Sequence, residues 1–253
     1  EGASYDLPVA VAVLSACGRL PEAARDALSR CVLVGELSLN GGLTATRGLL
    51  PMMIAALEGG VREAIVPAAN AQEAACLQGL TIYPARTLRE VVAHLTGEAP
   101  IPPQRQQTYD EARGGARPLG ELALVRGQRL AKRALEVAAA GNHNLLMLGP
   151  PGCGKTLLAR LLPTILPPLS FEEAVEATAI HSVAGALPRD KGIIETRPFR
   201  APHHSISDAG LVGGGARPRP GEVSLAHHGV LFMDEFAEFR RSALEAMRQP
   251  LED

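Results

Sequence analysis

The chain has 253 residues, 46% of them hydrophobic, and a formal net charge of −2 at pH 7. This length predicts two domains, and the charge provides no overall basic field, so any DNA contact must be local. No apolar run reaches the roughly 18 residues of a membrane span and no signal peptide is recognisable, so we expect a cytoplasmic protein with no membrane partner. The four cysteines have no C-x-x-C spacing, which argues against a zinc cluster or a disulfide framework.

Residues 1–96 alternate helical and strand patterns. The sequence predicts helices over 8–16 and 49–57 and strands over 31–34, 36–39 and 64–67. Asn70 with Glu73, and Thr87 with Glu90, are typical of capping pairs that begin two further helices. These patterns indicate a smaller α/β or α+β domain over residues 1–96.

The segment 97–118 is rich in proline, glycine and polar residues and has almost nothing to bury. We therefore place a linker at 97–118 and a second domain at 119–253. That domain is predicted to contain helices over 127–140, 157–162 and 171–179, and strands over 145–148 and 230–233. Glycines and prolines break the pattern over 188–222, which predicts an insertion or a mobile loop.

A phosphate-binding loop is predicted between the strand at 145–148 and the helix that follows it. In this context, backbone N–H groups at the start of the helix can hold phosphate oxygens. Lys155 would reach the β- and γ-phosphates, and the Thr156 hydroxyl would join the Mg²⁺ shell. The predicted ATP-binding residues are Gly149, Pro150, Pro151, Gly152, Cys153, Gly154, Lys155, Thr156 and Leu157.

In a second motif, the apolar run 230–233 ends in two carboxylates, the first of which, Asp234, lies 78 residues after Thr156. Asp234 is predicted to hold hydrated Mg²⁺ together with Thr156, and Glu235 to orient and polarise the attacking water. The catalytic residues would thus be Lys155 and Glu235. Motifs of this kind, with alternating helices and strands, predict an α/β fold whose core is a parallel sheet.

Several longer strings resemble signatures of the ComM (YifB) family, which are magnesium-chelatase-like AAA+ ATPases. They lie at 180–185, 197–204, 211–215, 220–227 and 248–253. The resemblance implies a P-loop AAA+ core with an extra hairpin or helical insertion before the Asp-Glu strand. It also implies a homo-hexameric ring that hydrolyses ATP and moves on single-stranded or branched DNA. Residues 124–128 resemble the family's segment next to the adenine, although Glu121 stands where aspartate is usual.

The first domain resembles the Lon-protease-like domain, of ribosomal S5 type, that precedes the ATPase in this family. Ser4 falls where a peptidase serine would stand, but a Ser-Lys dyad needs an amine to accept the serine proton. Residues 1–131 contain no lysine, and Met52 occupies about the place of the catalytic lysine. We therefore expect a domain that is inactive as a protease.

Basic residues in the 188–222 segment leave two interpretations open, a phosphate-tracking loop or a solvated surface. They are Arg189, Lys191, Arg197, Arg200, Arg217 and Arg219. The pairs His203–His204 and His227–His228 favour packing roles over a metal site, since adjacent side chains on a regular element diverge.

The ATP motifs alone also fit a magnesium-chelatase-type or protein-remodelling ATPase without DNA activity, or a nucleotide-binding switch. The chain has no initial methionine and stops soon after the Asp-Glu strand, so we expect a fragment lacking both ends. Without a γ-phosphate sensor or an arginine finger, this piece alone should hydrolyse ATP weakly.

Overall fold

The computed structural model of the protein describes residues 3–112, 121–188, 192–215 and 218–248. It divides into two compact units, one of residues 1–112 and 181–193 and the other of residues 113–180 and 194–253. Within the described ranges, no helix is long and apolar enough to span a membrane. The mixed α/β fold class predicted from the sequence is confirmed.

The first unit is built around a three-stranded parallel sheet of order β1-β4-β5. In its register, Ala64 on the central strand lies between Val32 on one neighbouring strand and Ile82 on the other. Leu7, Ile65 and Val91 anchor the core against this sheet, and all three are fully buried. The elements are α1 Asp6–Ala16, α2 Glu22–Arg30, β1 Cys31–Leu33, β2 Glu36–Leu37, β3 Leu43–Thr44, α3 Leu49–Glu58, β4 Glu63–Pro67, α4 Ala71–Ala74, β5 Thr81–Ala85, α5 Leu88–Thr96 and α6 Tyr109–Ala112.

One predicted capping pair is confirmed and the other is wrong. Thr87 Oγ1 accepts a hydrogen bond from the Glu90 backbone N–H at 3.1 Å, at the first turn of α5. Asn70 makes no such bond at the start of α4. Its amide is instead bonded to both backbone groups of Thr46 and to the Glu73 carboxylate. Thr46 lies 24 residues earlier, and a local pattern does not show such a partner.

The proline-rich segment after α5 contacts the first unit as far as Gln107. The Gln104 N–H donates to Ile82 O at 2.7 Å, the Gln107 N–H to Ala75 O at 3.1 Å, and the Gln106 side chain to Leu80 O at 3.0 Å. Composition placed the domain boundary at residue 97, whereas this unit extends to Ala112. Besides these hydrogen bonds, Ile101 packs against the core of the unit, although the segment as a whole has few apolar residues. Residues 113–118 of the predicted linker lie outside the described ranges.

Among its described residues, the second unit has two small hydrophobic clusters. One joins Leu122, Leu135 and Leu158, with Met147 packed against it, and the other contains Leu211. The elements are α7 Glu121–Leu124, α8 Arg129–Gly141, α9 Lys155–Ile165, α10 Phe171–Ala184, β6 Phe199–Arg200, α11 Asp208–Leu211, β7 Gly213–Gly214, β8 Arg219–Pro220, α12 Glu222–Leu225, β9 Val230–Leu231 and α13 Arg241–Ala246.

The strand predicted at 145–148 does not form among the described residues. Met147 packs inward, while Leu146 and Leu148 are 72% and 87% exposed. An apolar run becomes a strand only when a neighbouring strand satisfies its backbone groups. No described residue pairs with this run, so it remains extended chain before the phosphate loop.

The described parts of the 188–222 segment contain paired strands, which fits the insertion alternative better than a mobile loop. Its β6 pairs in parallel with β9, so that Phe199 lies opposite Val230, and its β7 and β8 form an antiparallel hairpin. The prediction was wrong for β6 because two paired residues give too short a hydrophobic pattern to recognise. The hairpin matches the insertion that the family resemblance implies.

Candidate nucleotide site

The predicted phosphate loop turns sharply into α9. Gly152 and Gly154 have φ values of +75° and +91°, a left-handed conformation that favours glycine. Helix α9 begins at Lys155, and the first N–H groups of a helix have no partner within it. These N–H groups and the helix dipole make the loop a suitable cradle for an anion such as a triphosphate.

The Lys155 ammonium lies over this loop. Its Nζ donates to the carbonyl oxygens of Gly149 and Pro150, at 2.8 and 3.0 Å, and lies 3.8 Å from Cys153 Sγ. A side chain at residue 149 would approach that sulfur to 3.0 Å, so glycine gives the loop room to close. The positive charge is therefore placed where the loop residues 149–154 converge. Leu157 lies on the exposed side of α9 and is 55% accessible.

The two motifs meet at Thr156 and Asp234. The Thr156 hydroxyl donates to Asp234 Oδ2 at 3.0 Å, although the two residues are 78 positions apart. The other carboxylate oxygen, Oδ1, accepts the Glu235 N–H at 3.0 Å. Hydroxyl and carboxylate oxygens are the hard donors that Mg²⁺ prefers, so this pair fits the metal that accompanies ATP.

Glu235 follows in a conformation unusual for a residue other than glycine. Its φ is +53°, and its side chain is 65% exposed beyond the end of β9. His204 Nδ1 lies 3.1 Å from Glu235 Oε2. The His204 ring also packs against His203 at 4.0 Å and edge-on to Phe239 at 6.5 Å, measured between ring centroids. These contacts restrain the Glu235 carboxylate.

The contact between His204 and Glu235 was not predicted from the sequence. The Pro-His-His string that contains His204 stood out only as a possible metal pair. Its true partner lies 31 positions later on another element, and β6, which brings the two elements together, was not predicted. Within the resemblance, the string at 197–204 was the one signal that pointed to this residue.

The segment predicted to lie next to the adenine contacts the phosphate loop. The Gln128 side-chain amide donates to Cys153 O at 3.3 Å, and Gln128 itself has a left-handed φ of +52°. Lys132 Nζ donates to the Val125 carbonyl oxygen, which closes the turn before α8. The segment 124–128 is thus held at one end of the cradle.

Two arginines of the basic loop predicted from the sequence form ion pairs with glutamates of the same unit. Arg200 forms a two-pronged ion pair with Glu222, at 2.6 and 2.7 Å. Arg197 contacts Glu173 at 3.0 Å, and its own side chain is only 12% exposed. Arg219, on β8, is exposed. Arg189, Lys191 and Arg217 lie outside the described residues, so the basic-loop interpretation depends on fewer charges than the sequence indicates.

Ser4 lies in a cavity of the first unit of about 670 Å³. Glu36, Thr46 and Arg47 share its lining, which contains no lysine or histidine among the described residues. Arginine stays protonated at all relevant pH values and cannot accept the serine proton. The cavity therefore offers Ser4 no base of the Ser-Lys type.

Comparisons with known proteins identify the family of this chain. The family model "Magnesium chelatase, subunit ChlI" matches residues 121–253, and the model "Subunit ChlI of Mg-chelatase" matches residues 1–70. All 253 residues align at 49% identity with an uncharacterized protein of Mycobacterium tuberculosis, of which they cover 49%. The competence protein ComM of Haemophilus influenzae is 44% identical over 255 aligned residues, again with all of this chain and 49% of that protein.

More distant similarity joins part of the chain to proteases. Lon protease 2 of Bacillus subtilis is 32% identical over 141 residues, which cover half of this chain and 24% of that protein. The chain spans about half the length of the curated relatives that match all of it.

Proposed function

Because this chain belongs to the magnesium chelatase subunit ChlI family, we propose that it forms the nucleotide-binding part of an AAA+ motor that uses ATP hydrolysis to act on DNA. The observation that carries the ATPase assignment is the 3.0 Å hydrogen bond between Thr156 and Asp234. It joins a phosphate-binding loop to an acidic strand end, the two halves that ATP hydrolysis requires.

Each residue of the site has a role in this proposal. The N–H groups at the start of α9 bind the phosphates, and Lys155 binds the β- and γ-phosphate oxygens. Thr156 and Asp234 hold Mg²⁺, which, when bound, neutralises the charge that develops on the transferring phosphate. Glu235 accepts the hydrogen bond of a water molecule and orients it. His204 holds the Glu235 carboxylate in position at 3.1 Å.

The DNA part of the proposal rests on similarity and on one exposed element. The competence protein ComM of Haemophilus influenzae matches the whole chain. The β7–β8 hairpin carries Arg219 into solvent, and exposed arginines can bind phosphates of a nucleic acid strand. We further propose that the complete protein acts as a ring of six copies, as the family resemblance implies.

ATP turnover by the complete protein, with and without single-stranded or branched DNA at low salt, tests the proposal. We expect turnover that DNA stimulates and that Lys155→Ala abolishes. Arg133→Ala is a control, since Arg133 lies on the exposed face of α8. Turnover that is unchanged in Lys155→Ala would refute the site. Turnover that no DNA stimulates, without DNA binding, would favour a chelatase-type or protein-remodelling ATPase instead.

A further inference from the structure

The turn that leads into β9 contains two adjacent histidines that point the same way. His227 Nε2 and His228 Nε2 lie 3.3 and 2.6 Å from the same oxygen, Oε2 of Glu176. Side chains of consecutive residues diverge on a regular element. Here His228 has a φ of +55°, and the two imidazole centroids are only 4.0 Å apart. The turn therefore overrides the divergence that the sequence predicted.

A second layer of contacts fixes this arrangement. Glu173 Oε1 lies 3.7 Å from Nδ1 of His228, the ring nitrogen that does not face Glu176. Arg197 holds both partners, since it contacts Glu173 at 3.0 Å and donates to the His228 carbonyl oxygen at 2.7 Å. A hydrogen bond from the Ser170 N–H is the main cause that lowers the pKa of Glu173, so its carboxylate is ionised at neutral pH.

We propose that Glu176, His227 and His228 bind a divalent transition-metal ion of the Zn²⁺ class. Each offers one ligand atom, and the three ligand atoms lie within 4.8 Å of one another. Two imidazole nitrogens and one carboxylate oxygen form a set that Zn²⁺ commonly takes, whereas Mg²⁺ prefers oxygen ligands alone. A water molecule would complete the tetrahedron.

Glu173 Oε1 lies 3.7 Å from the far ring nitrogen of His228, so Glu173 is placed like the carboxylates that orient metal-binding histidines.

The proposed site differs from the nucleotide site. Its ligands are Glu176, His227 and His228, none of which contacts Thr156 or Asp234 in the hydrogen bonds of the described residues. A metal here would join helix α10, which carries Glu176, to the turn before β9, the strand that ends at the Asp-Glu pair. Its role would be to fix the start of that strand, with no part in phosphate chemistry.

Zn²⁺ binding to the purified protein, stripped of metal with a chelator, provides the test. Calorimetry should show one ion per chain, and Glu176→Gln or His227→Ala should lower the affinity at least about 10-fold, with a smaller loss in Glu173→Gln. The matched control is His203→Ala, which removes one histidine of the other adjacent pair, whose Nδ1 bonds to Ser205. This control should bind Zn²⁺ like the unaltered chain.

Two further measurements distinguish Zn²⁺ binding at this site from Zn²⁺ binding by cysteine thiols and from loss of binding through misfolding of a variant. Co²⁺ bound here should lack the intense thiolate charge-transfer absorption, and Zn²⁺ should raise the unfolding temperature of the unaltered chain but not of His227→Ala. The proposal is overturned if the chain binds no Zn²⁺. It is also overturned if binding is equal in all variants, is lost equally in His203→Ala, or shows thiolate absorption with Co²⁺.

Discussion

Replacement of His204 by alanine should slow ATP hydrolysis without weakening ATP binding. Glu235 is 65% exposed, and His204, 3.1 Å away, is the side chain that restrains its carboxylate among the described residues. In our proposal this carboxylate orients water and does not touch the phosphates. The loss should therefore fall on kcat, while the KM for ATP stays nearly unchanged.

The magnitude follows from the exposure of the pair. A solvent-exposed pair of this kind contributes up to about 1 kcal/mol. If that restraint is lost in the transition state, kcat falls by about fivefold, since each 1.4 kcal/mol corresponds to a factor of ten. Glu235→Gln should cost far more, because it removes the group that orients and polarises water.

The assay is steady-state ATP turnover by the complete protein at saturating Mg²⁺. Arg133→Ala is the control, since the Arg133 side chain is exposed on α8 and pairs only with Glu136 among the described ion pairs. The reasoning is refuted if His204→Ala leaves kcat within twofold of the unaltered rate, or if its whole effect appears in KM.

Three predictions concern stability and thiol chemistry. Glu73→Ala should lower the free energy of unfolding, measured in urea, by about 3 kcal/mol, because Glu73 is 5% exposed and its carboxylate accepts hydrogen bonds from the Leu50 N–H, Asn70 and Ser182. A decrease below about 1 kcal/mol would contradict this. Replacement of the exposed Glu58 by alanine is the control. Thr87→Ala should cost about 1 kcal/mol by the same measurement, since it removes the hydroxyl that caps α5, and an unchanged midpoint would refute that role. At pH 8, iodoacetamide should label the exposed Cys17 rapidly and leave Cys76 and Cys31 almost unmodified. Burial raises the pKa of Cys76 to about 11 and that of Cys31 to about 12, and the thiolate is the form that reacts. Equal labelling rates of the three thiols, followed by mass spectrometry, would contradict this.

Local patterns predicted the parts of the fold that depend on local chemistry. The glycine-rich loop and the helix that follows it were predicted from the motif and the helical pattern, and both are present, with the helix beginning at Lys155. The proximity of Thr156 to Asp234 could also be anticipated, because it follows from the order of the two motifs on a strand and a helix.

Other features depend on partners that a single sequence does not pair. The 145–148 run has the hydrophobicity of a strand, but a strand also needs a neighbour to satisfy its backbone. In the sequence, Arg197 and Arg200 have no recognisable partners, whereas in the structure they form ion pairs with Glu173 and Glu222. Likewise, the left-handed position of the turn that aligns two imidazoles with Glu176 is occupied by His228 and not by the adjacent Gly229, so the sequence does not mark it.

A double-mutant cycle on ATP turnover tests the central claim most directly, namely that the phosphate loop and the acidic strand end form one site. We expect Thr156→Ala and Asp234→Ala each to reduce turnover at least about 100-fold and to raise the Mg²⁺ concentration required. Because both residues hold the same ion, the double variant should be little worse than the more severe single variant. Independent effects that multiply, or single variants with unaltered turnover, would contradict the account.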